Sequence, residues 1–71
     1  MYNIQKKLGD NVRTLRLERG YSQEVFAELV GVHRTYIGMI ERGEKNVTLE
    51  TIVKLSRALD TSISDLIEGI D

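Results

Sequence analysis

The sequence predicts an all-α fold of five short helices. Three observations support this fold class. Its 71 residues contain no proline, apolar residues recur three and four positions apart, and the long apolar–polar alternation of a half-buried strand is missing. A chain of this length is expected to form a single domain over residues 1–71, with a thin core whose stability dimerisation would increase.

The first helix is expected over residues 3–19. Asn3 can cap its N-terminus and Gly20 can end it, because a short polar side chain satisfies free backbone N–H groups and glycine readily leaves the helical conformation. The apolar residues at helical spacing in this segment are Ile4, Leu8, Val12 and Leu15.

Residues 22–43 predict two helices joined by a tight turn at Gly31. Glycine can take a positive φ there at little steric cost, and the small Ala27 allows the two helices to cross closely. Ser22 is expected to cap the second helix, and His33 the third, which would stop at Gly43. The apolar positions expected to face inward are Phe26, Leu29, Val30, Val32, Ile37 and Ile40.

The last two helices are predicted after Thr48 and Ser62, which are suitable caps. Helix four is expected to bury Leu49, Ile52, Val53, Leu55 and Leu59. Helix five is expected over about residues 63–70, and its apolar residues are more numerous than one small core requires. Leu66 should therefore face inward, while Ile63, Ile67 and Ile70 are candidates for a dimer interface.

Composition excludes several classes of protein. Cysteine is absent, so there is no disulfide or thiolate metal site, and there is neither a signal-peptide segment nor an apolar run long enough to cross a bilayer. We therefore expect a cytoplasmic, nucleoid-associated protein with no membrane partner. The lone His33 has no second ligand or nucleophile at a recognisable spacing, so no metal, no cofactor and no enzymatic activity are expected.

The charge of the chain is unevenly distributed. The net charge is −1, but residues 1–59 carry ten Lys and Arg against seven Asp and Glu, and the remaining acidic residues lie in the last twelve positions. A weakly positive surface can bind DNA with modest non-specific affinity, and specificity then depends on a few well-placed contacts.

The motif Ser22-Gln23, Glu24, Ala27, Gly31 and residues 37–43 (IGMIERG) resembles the Xre/Cro/phage-repressor family of helix-turn-helix regulators. The resemblance covers about residues 4–68 and implies a lambda-repressor-like DNA-binding domain with helices two and three as the helix-turn-helix. Within that family, the block HRTYIGMIERGEKNVTLETI is most similar to the controller proteins of restriction–modification systems.

The start of helix three is the expected DNA-reading surface, because recognition helices present this end to base edges. Arg34 can pair bidentately with guanine, although a solvated arginine is the alternative. Thr35 can bond a base edge or contact a thymine methyl, and Met39 can add only an apolar contact. Gly38 allows either close approach of the helix to DNA or space for a neighbouring side chain.

Residues on either side of helix three are candidates for phosphate contacts, because their amide, hydroxyl and cationic groups can donate to the DNA backbone. The candidates are Gln23, His33, Tyr36, Arg42, Lys45, Asn46, Thr48 and Thr51. Capping is the alternative role for His33 and Thr48, and packing over the helix two to three corner is the alternative for Tyr36. The resemblance also implies a structural pair between Arg16 and Glu41.

The expected function is that of a sequence-specific transcriptional regulator. A homodimer would place two recognition helices roughly 34 Å apart on a pseudo-palindromic operator. The resemblance implies the autoregulating controller of a restriction–modification operon, with RNA polymerase as a partner during activation. The alternatives are a plain Xre-type repressor, an antitoxin-like regulator, or a protein interaction module, which would show no salt-dependent DNA binding.

Overall fold

Five α-helices account for most of residues 3–70, which are the residues that the computed structural model describes. The helices are α1 (Ile4–Glu18), α2 (Gln23–Val30), α3 (Arg34–Glu41), α4 (Leu49–Ala58) and α5 (Ile63–Leu66). No strand occurs within these residues. The predicted all-α fold class is therefore confirmed.

Each helix begins after a side chain that accepts a hydrogen bond from a backbone N–H in its first turn. All five predicted N-caps are confirmed, and they are Asn3, Ser22, His33, Thr48 and Ser62. These bonds satisfy donors that would otherwise have no intrahelical partner. Local sequence chemistry thus fixes where every helix starts.

Gly31 forms the turn between α2 and α3. Its φ of 90° lies in the left-handed region, and the backbone N–H groups of Gly31 and Val32 both donate to the Ala27 carbonyl, at 2.8 and 3.0 Å. Ala27 is buried where the two helices meet. This geometry is the predicted helix-turn-helix corner, and it directs the start of α3 away from α2.

The core lies where α3 packs against α1 and α2 and where α4 joins α2 to α5. Its buried apolar residues are Leu8, Val12, Phe26, Ala27, Val30, Ile37, Ile40, Leu55, Leu59 and Leu66. Gly9 lies at the α1–α3 crossing, where a Cβ on Gly9 would come within 2.3 Å of the Ile40 carbonyl oxygen. Only glycine permits this approach of two helix backbones, which the sequence analysis did not anticipate.

Three apolar residues assigned to inward stripes are exposed instead. Leu29 is 54% exposed and Leu49 is 73% exposed, and Ile4 also faces outward. The buried face of the eight-residue α2 is already occupied by Phe26, Ala27 and Val30, so Leu29 falls outside it. Leu49 and Ile4 are the first residues of α4 and α1, and the buried residues of both helices lie further along.

The fifth helix is shorter than predicted. It ends at Leu66 rather than near residue 70, because the Leu66 carbonyl accepts a 2.9 Å bond from the Asn11 side chain, while the Ile70 N–H donates to Ile67. Leu66 is fully buried as expected, and Ile67 and Ile70 pack half-buried against the core. Ile63, 39% exposed, is the most accessible of the three candidate interface residues.

None of the helices within residues 3–70 is long and apolar enough to cross a membrane.

Candidate nucleic-acid interface

A buried ion pair fixes the orientation of α3. The Arg16 Nε donates to Glu41 Oε2 at 2.7 Å, and Arg16 NH2 donates to Glu41 Oε1 at 3.1 Å. Arg16 NH1 also donates to the Tyr21 carbonyl at 2.8 Å. The pair suggested by the family resemblance is thus present, and it joins α1 to the last residue of α3.

Gln23 belongs to the same network. Its Nε2 donates to Glu41 Oε1 at 3.1 Å, so the first residue of α2 is tied to the end of α3. The amide has two N–H groups, and one remains for another acceptor. Gln23 is exposed, which leaves this second donor accessible for the predicted phosphate contact.

The exposed start of α3 carries His33, Arg34 and Thr35 side by side. The His33 Nδ1 accepts from the Thr35 backbone N–H at 3.0 Å, which requires an imidazole without a proton on that nitrogen. The neutral ring then carries its proton on Nε2 and can donate to an anion. Capping and phosphate contact are therefore compatible roles for His33.

Arg34 extends from α3 toward α2. Its NH1 lies 3.2 Å from Glu24 Oε2, and both side chains are largely exposed. An exposed pair of this kind is weak and screened by salt. The guanidinium can therefore leave Glu24 to bind a base or a phosphate. The sequence analysis did not identify Glu24 as the partner of Arg34.

Tyr36 and Lys45 form a contact beside the recognition helix. The Tyr36 ring is half-buried against the core, and Lys45 Nζ lies 5.6 Å from its centroid, a cation–π distance. This supports the packing alternative for the ring and places a lysine next to α3. Met39 is also half-buried, so only part of its thioether side chain is accessible.

Gly38 gives space to a neighbouring side chain. A Cβ at this position would lie 3.0 Å from Arg42 NH1 and 3.9 Å from Gln23 Oε1. The Arg42 side chain therefore lies across the middle of α3. Of the two roles considered for Gly38, the structure supports the gap for a neighbour.

Arg42 is itself paired with Glu44. Its Nε and NH2 donate to the two carboxylate oxygens at 3.0 and 3.2 Å. The hydrogen bond from Arg42, followed by its positive charge, lowers the pKa of Glu44, and the bond to Glu44 raises the pKa of Arg42. A candidate phosphate clamp is thus occupied by an acidic group of the same chain, which sequence reasoning missed.

Thr48 and Thr51 are arranged as a helix cap. Thr48 Oγ1 accepts from the Thr51 backbone N–H at 3.2 Å and donates to Thr51 Oγ1 at 3.0 Å. These bonds show the capping role and leave hydroxyl oxygens at the exposed start of α4. Asn46 lies exposed in the segment that leads there from α3.

Within residues 3–70 there is no group of three or more His, Cys, Asp and Glu residues placed to hold a metal ion. The fold instead brings hydrogen-bond donors and cations together around α3, and two of the cations are paired with the exposed carboxylates of Glu24 and Glu44. That arrangement can contact an anionic ligand with a regular shape, such as duplex DNA.

Comparison with known proteins agrees with this geometry. A helix-turn-helix family model matches residues 12–66. The control protein C.SmaI of Serratia marcescens is 49% identical over 65 residues, covering 92% of this chain and 77% of the relative. The crystal structure of the restriction–modification controller protein C.AhdI from Aeromonas hydrophila superposes with a TM-score of 0.87 at 45% identity, covering 92% of this chain and 98% of that one.

A further solved structure that matches this chain was determined with DNA. SinR, described as the master regulator for biofilm formation, was crystallised in complex with DNA, and it matches with a TM-score of 0.81 at 34% identity over 86% of this chain and 98% of that one. The identities, the coverage and the shared fold identify this chain as a member of the helix-turn-helix family of DNA-binding transcriptional regulators, in the group of restriction–modification controller proteins.

Proposed function

We propose that two copies of this chain bind a pseudo-palindromic operator and regulate a restriction–modification operon that includes the chain's own gene. The observation that carries this proposal is the start of α3, where Arg34 and Thr35 are exposed on a helix anchored from behind by the Arg16–Glu41 pair. Sequence-specific recognition requires exposed side chains that can contact bases, carried by a helix whose position is fixed.

In this proposal Arg34 and Thr35 read base edges in the major groove, and Met39 adds an apolar contact through its accessible part. Phosphates on both sides of the groove are contacted by polar groups around α3. These groups belong to Gln23, His33, Tyr36, Arg42, Lys45, Asn46, Thr48 and Thr51. Binding to DNA places the protein on the nucleoid.

The dimer is proposed to form through α5 and the residues that follow it. Ile63 is exposed, and Ile67 and Ile70 pack partly buried against the core, so apolar side chains stay partly accessible in this last segment of the fold. Burying them against a second copy would add to the thin core of a small chain. We assign the protein no catalytic activity, and propose RNA polymerase as its partner when it activates.

The test is a pull-down of genomic fragments from the source organism, with footprinting at a low and a high salt concentration. We expect protection of a near-palindrome upstream of the chain's own gene, with a restriction endonuclease gene adjacent. A palindrome without such a neighbour would indicate a plain Xre-type or antitoxin-like regulator. No protection at low salt would refute DNA binding and leave the protein interaction module.

A further inference from the structure

The Arg42–Glu44 pair is held in place by the way α3 ends. The Glu44 backbone N–H donates to the Met39 carbonyl at 2.9 Å, and the Gly43 N–H donates to the Ile40 carbonyl at 3.0 Å. These are the two bonds of a Schellman motif, with Gly43 at a φ of 75°. The motif reverses the chain directly after Arg42 and brings Glu44 back beside it.

The other side of Arg42 lies against α3. Because Gly38 has no side chain, Arg42 NH1 can lie where a Cβ would be only 3.0 Å away. The guanidinium therefore lies between the middle of α3 and the Glu44 carboxylate, to which it is bonded. Most exposed ion pairs lose side-chain entropy when they form, whereas here the backbone already holds both partners close together.

The carboxylate occupies the part of Arg42 that a phosphate would use. Nε and NH2 form two parallel bonds to Glu44, at 3.0 and 3.2 Å, and this bidentate geometry is the one arginine uses for phosphate oxygens. We propose that Glu44 is an intramolecular competitor for DNA phosphate, which must be displaced before Arg42 can clamp the backbone in this way. The inference rests on the proposed function, in which Arg42 contacts phosphate.

Competition by Glu44 would lower the affinity for DNA of any sequence. The displaced carboxylate leaves a negative charge next to the DNA backbone. Arg42 and Glu44 together therefore neutralise less phosphate charge than an unpaired arginine would. Arg34 is paired with Glu24, and the Thr35 backbone N–H donates to His33, so the proposed base contacts do not depend on the Arg42–Glu44 pair. Because a phosphate contact is made with specific and non-specific DNA alike, Glu44 would lower both affinities by a similar factor.

The test measures binding of the full chain to a short random-sequence DNA duplex, by fluorescence anisotropy over a series of KCl concentrations. We expect Glu44→Gln to tighten this binding about two- to fivefold at low salt, which corresponds to the strength of an exposed ion pair. The slope of log K against log salt should steepen by roughly one. Circular dichroism checks that each variant is folded.

Two comparisons separate competition from a general charge effect. Glu18→Gln removes the same charge from α1, where the carboxylate lies 3.8 Å from Arg19, and it should leave the affinity nearly unchanged. In an Arg42→Ala background, Glu44→Gln should produce a smaller gain, because the competed-for group is gone and only the repulsion between Glu44 and the DNA backbone is relieved.

Three results would overturn the proposal. Weaker binding by Glu44→Gln would mean that Glu44 orients Arg42 for DNA rather than competing for it. An equal gain in Glu18→Gln, or an undiminished gain in the Arg42→Ala background, would attribute the effect to net charge. Failure of the proposed function itself looks different, since the unmodified chain would then show no salt-dependent binding to any duplex.

Discussion

The Arg16 guanidinium and the Glu41 carboxylate form a two-bond ion pair across the α1–α3 boundary, with Arg16 6% and Glu41 4% exposed. Arg16 also donates to the Tyr21 carbonyl, and Glu41 also accepts from the Gln23 amide. No buried side-chain nitrogen or oxygen in residues 3–70 lacks a partner. The network therefore compensates the cost of burying two charges and fixes α3 relative to α1 and α2.

Arg16→Met should destabilise the fold by about 3–5 kcal/mol, because it leaves the Glu41 carboxylate buried without its counter-charge. Urea denaturation followed by circular dichroism measures the change. Lys6→Met is the control, since it breaks the 2.8 Å Lys6–Asp10 pair, whose partners are both about half exposed. The control should cost less than about 1 kcal/mol. Equal losses in the two variants would show that the buried pair has no special role.

Gly9→Ala and Gly38→Ala should change stability in opposite directions. The Cβ at Gly9 would overlap the Ile40 backbone carbonyl at 2.3 Å, and a helix backbone cannot yield, so we expect a loss of about 3 kcal/mol or more. At Gly38 the nearest atom, at 3.0 Å, is the end of the flexible Arg42 side chain.

The Arg42 side chain can move aside, so the helix propensity of alanine should stabilise Gly38→Ala by up to about 1 kcal/mol. Thermal unfolding of the two variants compares these effects directly. A stable Gly9→Ala protein would mean that α1 and α3 can separate without penalty.

The helix starts and the corner at Gly31 could be predicted because their causes are local. A cap bonds a backbone N–H within three residues, and a positive φ at a turn selects glycine. The exposure of Leu29 and the early end of α5 at Leu66 could not be predicted. They depend on which face of a short helix meets its neighbours and on a bond from Asn11, which is 55 residues away from Leu66 along the chain.

The candidate interface could likewise be predicted from the sequence only in part. Its residues could be assigned from their positions on α3 and from the family motif, which also implied the Arg16–Glu41 pair. The acidic partners of Arg34 and Arg42 could not be assigned, because Glu24 entered only as a residue of the family motif and Glu44 only in the count of acidic residues. Glu44 follows Arg42 by two positions, and the Gly43 turn between them was the available signal.

Arg34→Ala is expected to weaken binding to the footprinted operator by about 1–3 kcal/mol while leaving the fold intact. The guanidinium is exposed and its pair with Glu24 is weak. Its loss should therefore lower the affinity for DNA without changing the stability of the free protein. Arg13→Ala removes an equal charge from the exposed side of α1 and serves as the control. Unchanged operator affinity in folded Arg34→Ala protein would remove Arg34 from base readout.

For the proposed dimer through α5, Ile63→Ser should raise the dissociation constant about tenfold, because a twofold interface would lose two partly exposed isoleucines at once. Analytical ultracentrifugation measures the constant, and circular dichroism should remain unchanged since Ile63 lies outside the core. Leu17→Ser alters a similarly exposed apolar residue on α1 and should leave the constant as it was. If both variants dimerise like the unmodified chain, the interface lies elsewhere.

The pKa of Glu44 is expected to depend on Arg42. Its bond from Arg42 lowers that pKa below the ordinary value, so Arg42→Ala should raise it again, as measured by carboxyl-carbon NMR during acid titration. A carboxylate whose pKa is depressed by folding contributes stability above its unfolded pKa and loses that contribution as pH falls through the folded pKa. Arg42→Ala should therefore cost slight stability at neutral pH and none below the folded pKa. Identical Glu44 titrations in the two proteins would show that the pair does not persist in solution.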